Sequence, residues 1–130
     1  MSSITMLHQK DPKKVLLEQV GDTSSIEIFN MQVLVAVYIR PEQTQSGLFL
    51  SDKSRDEDRY QSKVGLILRK GPTAFVDKDG EWFSGLNINE GDWVVFRPAD
   101  GWSITVNGTL CRMLDDMSVR ARIAHPDHVY

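Results

Sequence analysis

What the chain lacks narrows its chemistry first. One cysteine, Cys111, stands in 130 residues, which excludes an internal disulfide and any multi-cysteine metal centre; alone it reads as a small buried hydrophobe. No apolar run is long enough to span a bilayer, and the amino terminus, MSSITMLHQKDPKK, has no signal-peptide stretch. An excess of basic charge is missing too: 15 Lys and Arg against 18 Asp and Glu leave a formal charge of −3, with no electrostatic footprint for nucleic acid. The expectation is a protein with no nucleic-acid and no membrane partner, cytosolic or part of a larger soluble particle.

Catalytic apparatus is equally sparse. The three histidines, His8, His125 and His128, lie near the termini, where a nucleophile, base and orienter are hardest to assemble. The two in HPDH have metal-ligand chemistry but no further ligands, and read as exposed tail residues. Gly47, Gly65 and Gly71 form no phosphate-cradling pattern, and neither GxGxxG nor GxxxxGK[ST] occurs. Asp115-Asp116 reads as a turn between LCRML and SVRAR. These absences predict no enzyme, no cofactor and no metal.

What is present suits one small domain. DPKKVLLEQVGD carries helix punctuation: Asp11 as N-cap, Pro12 at the first helical position, Gly21 as the stop. A helix over 12–20 is too short to stand alone in water, so its apolar side must lie on its own barrel or on a neighbouring subunit. Strands follow. QVLVAVYI (32–39), KVGLILRKG (63–71) and DWVVFRP (92–98) are β-branched apolar runs bounded by Gly or Pro. TAFVDKDGEWFSG reads as a hairpin turning at Asp79-Gly80, and GWSITVNGTLCRML as one turning at Asn107-Gly108. In SVRARIA, Val119, Ala121 and Ile123 alternate with Arg120 and Arg122. Trp93, Phe96 and Trp102 read as packing residues. Short strands at this spacing predict an all-β barrel or sandwich.

The exception is residues 41–63, PEQTQSGLFLSDKSRDEDRYQSK, a long polar stretch without period around one apolar knot, Leu48, Phe49 and Leu50, preceded by Gly47. Connections of this length in a compact domain are usually functional or disordered. Three large apolar side chains left in water forgo about 1.5–3 kcal/mol of burial each. A docking peptide on a soluble tether accounts for them; so does a short barrel strand, with the tether confined to the charged residues after it.

The order of these features resembles the co-chaperonin family, the GroES-type lids of chaperonins. VLVAVYI leads into TQSGLFL; then come KVGLILRKG, a hairpin, INEGDWVVFRPADGW and a last β segment, over roughly residues 28–124. The resemblance implies a small irregular β-barrel, assembled as a homo-oligomeric heptamer, with each subunit sending a mobile loop to a GroEL-type chaperonin ring. It further implies that Gly47, Leu48, Phe49 and Leu50 are the partner-binding residues. Asp79, Gly80, Trp82 and Phe83 would then fall in the family's roof hairpin. The corresponding division is an arm with a helix (1–27), a barrel (28–124; loop 41–63, hairpin 73–85) and a tail (125–130).

The chain departs from the pattern in its long amino-terminal arm, in Ile28 and Met31-Gln32 where the family has a proline and an acidic-basic pair, and in the tail HPDHVY. Arms at both ends of a barrel can lash neighbours together, and divergent lids of this kind resemble those of tailed bacteriophages. Two functions follow as expectations. One is a co-chaperonin in the bacterial host cytoplasm, helping to fold a phage capsid protein. The alternative is a barrel reused to decorate the virion, with the major capsid protein as its partner.

Overall fold

The structure, a computed structural model, describes residues 11–39, 62–76 and 87–129. Among these, one helix and six strands follow in the order α1 (Pro12–Val20), β1 (Gln32–Val37), β2 (Val64–Lys70), β3 (Trp93–Val95), β4 (Trp102–Val106), β5 (Thr109–Asp115) and β6 (Ala121–Ile123), with short 3-10 turns at Asp116–Ser118 and Pro126–His128. All described strands join one antiparallel sheet in the order β4-β5-β1-β2-β3-β6. The all-β fold with a short amino-terminal helix is as the sequence predicts.

Both faces of the central strands are covered, which is why β1 and β2 read as continuous apolar runs instead of alternating ones. Leu34, Ala36, Val64, Leu66, Leu68, Trp93 and Cys111 form one core with α1, while Val33, Val35, Ile67, Val94, Phe96 and Leu114 form a second on the other face, beneath Ala74, Phe75 and Ile88. β1 pairs with β2 through a bulge: Leu34 faces Arg69 and Val35 faces Ile67, leaving Leu68 as the extra residue. Leu68 lies in the first core with Val64 and Leu66, and a bulge of this kind strengthens the local twist.

The edges differ from the interior. β4 is largely exposed, and Trp102 on it is 58% accessible, so it does not pack as expected; an edge strand has a neighbour on one side only, and its side chains are covered less. β6 departs from simple alternation. Ile123 packs on the first core, Val119 on the second, and Ala121 is exposed, because the chain bends out of the 3-10 turn before the strand begins. At the β4–β5 turn, Asn107 (φ 50°) and Gly108 (φ 80°) are both left-handed, the geometry a two-residue hairpin loop requires.

α1 forms where its punctuation places it. The Asp11 carboxylate accepts the Lys13 N–H at 3.1 Å, and Gly21 (φ 73°) returns its N–H to the Leu17 carbonyl at 3.0 Å. Leu16 and Val20 go into the first core and Leu17 faces outward. The helix lies on its own sheet, which settles the choice left open by its length. At the other terminus Pro126 is buried and Val129 packs against the same core. The described parts of both chain ends therefore fold back on the sheet.

Candidate functional site

The residues singled out in the sequence, Gly47, Leu48, Phe49 and Leu50 in one segment and Asp79, Gly80, Trp82 and Phe83 in the other, lie outside the described residues. What the structure does place are the roots from which these segments leave. The two roots sit at opposite ends of the sheet, because β1 starts near one and ends near the other.

The root of segment 40–61 is the pair of positions just beyond β1 and β2. Tyr38 N–H donates to the Val64 carbonyl at 2.9 Å, and the buried Ser62 hydroxyl donates to the Tyr38 carbonyl at 2.8 Å. Chain exit and re-entry are thus tied side by side across two antiparallel strands, which lowers the entropy lost on closing a connection of this length. The Tyr38 ring is buried edge-on to Trp93, with centroids 5.7 Å apart and planes at 78°. Its hydroxyl donates to the Asp127 carboxylate at 2.5 Å. Asp127 reaches it from the Pro126–His128 turn, whose own geometry is set by His125 Nδ1 accepting the Asp127 N–H at 3.2 Å. The tail read as exposed therefore holds a buried proline and a bonded carboxylate. The end of α1 lies at this end of the sheet too: Asn107 Nδ2 donates to the Val20 carbonyl at 2.6 Å, beside the β4–β5 turn.

The root of segment 77–86 is assembled differently. Gly71 N–H donates to the Gln32 carbonyl at 2.8 Å, Thr73 N–H to Asn30 at 3.1 Å, and Asp116 N–H to Met31 at 3.0 Å. Phe75 holds a left-handed conformation (φ 60°) that is rare for an aromatic residue. Its N–H donates to the buried Asp116 carboxylate at 3.0 Å. On the far side of the segment Lys70 Nζ donates to the Ile88 carbonyl at 2.9 Å. Of the pair read as a turn, Asp115 ends β5 opposite Gln32, whereas Asp116 opens the 3-10 turn and is also an internal anchor.

Elsewhere the titratable groups serve structure. Burial pushes the Cys111 thiol from an ordinary value near 9 up to about 11, as befits an inert core cysteine. Arg97 holds the Asp100 carboxyl below its usual range through paired hydrogen bonds. Arg112 lies over the Phe96 ring at 5.6 Å and donates to the Asp100 carbonyl, closing the β3–β4 turn; burial lowers its pKa. No group of three or more metal-ligating side chains occurs among the described residues, and no described helix is long and apolar enough to cross a membrane.

Sequence reasoning missed Tyr38, Ser62, Asp116 and Asp127. Tyr38 had a weak signal, an aromatic at the end of an apolar run before a polar stretch. The partnership with Asp127, 89 positions away, had none.

Compared with known proteins, the chain matches the family model described as chaperonin 10 Kd subunit over residues 25–123, so the match takes in β1 through β6 and both roots while α1 and the Pro126–His128 turn lie beyond it. No curated protein matches the chain. A match over about three-quarters of the sequence, on an antiparallel sheet with a long connection between its first two strands, establishes that the chain belongs to the chaperonin 10 kDa subunit family, the co-chaperonins.

Proposed function

We propose that this protein caps a chaperonin ring by docking the apolar tripeptide Leu48-Phe49-Leu50, with Gly47 supplying backbone freedom just before it. The observation that carries the reading is the family match over residues 25–123, with the tripeptide centred in a segment that leaves and re-enters the sheet between two hydrogen-bonded strands. Each engagement is weak, because a segment that orders on binding loses conformational entropy. A homo-oligomer, a heptamer on this reading, restores affinity by multivalency and leaves release easy when the partner changes shape.

The client we propose is a capsid protein of a tailed phage, a reading supported by the departures from the family pattern at both ends of the chain. The alternative, decoration of a virion, has the terminal arms and the long loop grip a capsid lattice. The described parts of those arms lie on the protein's own sheet, with Leu16, Val20 and Val129 in its core, and this favours the lid over the decoration. Incubation with a purified bacterial chaperonin, with and without ATP, tests the proposal. Nucleotide-dependent capture by the ring, lost on Phe49→Ser at unchanged melting temperature, supports it. No capture under any nucleotide would refute it, and a large stability loss in Phe49→Ser would show the tripeptide to be core.

A further inference from the structure

We infer that the carboxyl-terminal turn is a latch on the root of segment 40–61, with Asp127 and Tyr38 acting as positioning residues for whatever that segment binds. Three observations carry this. Tyr38, just past β1, is tied across to the β2 side through its N–H to Val64 and its carbonyl to Ser62, at the end of the described strand pair, and strand pairs fray first at their ends. Its side chain is anchored on both sides, the ring against Trp93 and the hydroxyl on the Asp127 carboxylate. The Asp127 side chain is 13% accessible and hangs on a turn seated by buried Pro126 and by Val129 in the first core, so the acceptor is itself held in place.

The turn lies past residue 123, where the family match ends. The latch thus joins a residue beyond the matched span, Asp127, to one within it, Tyr38, at the end from which segment 40–61 departs. A root held in place fixes where and in which direction the chain leaves the sheet, and preorganisation of that kind lowers the cost of binding. The expected result is tighter capture by the partner with no new contact to it. This consequence rests on the co-chaperonin reading; the latch itself does not.

The test uses the full chain and two variants. Asp127→Ala removes the acceptor, and Asp127→Asn keeps an oxygen that can accept from Tyr38. Native-state hydrogen exchange should show the Tyr38 amide exchanging about tenfold faster in Asp127→Ala and near the wild-type rate in Asp127→Asn. A Tyr38 amide unchanged in Asp127→Ala, while that of His128 accelerates, would show that the turn is tied to the sheet without latching the root, and would overturn the inference. In the chaperonin assay, Asp127→Ala should need about tenfold more ring for half capture, with Asp127→Asn close to wild type. Equal capture of Asp127→Ala and wild type would remove the positioning role. If wild type is not captured at all, the co-chaperonin reading fails, and the exchange data alone decide the latch.

Discussion

The two ends of the sheet hold their outgoing segments by different means. At the end carrying segment 77–86, backbone bonds interlock three pieces of chain, Asn30–Gln32, Gly71–Thr73 and Asp116, and one buried carboxylate stabilises the left-handed Phe75. At the end carrying segment 40–61, one backbone bond, Tyr38 N–H to Val64, is reinforced by side chains: Ser62 and Asp127 on Tyr38, and Asn107 on the end of α1. The first end is built wholly from residues inside the family match, and the second recruits elements from outside it. Backbone interlocks tolerate little change of sequence geometry; side-chain latches can be added to an existing sheet one residue at a time. The family match thus covers the interlocked end entirely, while the latched end also draws on the Pro126–His128 turn and the end of α1, which lie beyond it.

The interlocked end should be the harder to disturb without unfolding. Gly71→Ala should have the largest effect: its methyl group would meet the Asn30 carbonyl and come within 2.7 Å of the Phe29 carbonyl oxygen, backbone atoms that cannot step aside. A loss of about 3 kcal/mol in chemical denaturation is expected, at the upper end for overpacking. Asp116→Ala follows at about 2 kcal/mol, since it removes the buried carboxylate that accepts the Phe75 N–H. At the latched end, Tyr38→Phe and Ser62→Ala should each cost only about 1 kcal/mol, the net worth of one hydrogen bond. Equal losses at the two ends would erase the distinction.

The mid-sheet Cys111 supplies the smallest effect, in the pH dependence of stability. Its folded pKa of about 11 lies above the ordinary value near 9. Below about pH 9 the thiol is protonated in folded and unfolded chains alike and contributes no slope. Between about 9 and 11 only the unfolded chain releases the proton, so stability falls as pH rises through that window. Cys111→Ala should remove that part of the alkaline slope in pH-resolved denaturation.

Local chemistry made much of the fold legible in advance. Asp11-Pro12 and Gly21 bracket α1, and Asn107-Gly108 turns β4 into β5, because caps and tight turns are decided by residues a few positions apart. The β-branched apolar runs marked β1 and β2 as strands, while their burial on both faces came from the fold. Legibility stopped where contacts are long-range. Nothing near Asp127 announces Tyr38, and Asp116 reads as half of a turn when it is also the partner of Phe75, 41 positions earlier. Trp102 reads as a packing residue because large aromatics usually are, but only the strand order places it on a strand at the edge of the described sheet. For the candidate site, pattern alone picked out Leu48, Phe49 and Leu50; the elements that hold their segment came from the fold.

The most direct test of the central claim is the half-saturating concentration of a bacterial chaperonin ring for wild type and Phe49→Ser, each with and without ATP, alongside their melting temperatures. The account predicts ATP-dependent capture of wild type, and loss of capture in a variant that melts within a degree or two of it. Capture that survives Phe49→Ser, or a wild-type chain that the ring never retains, would contradict it.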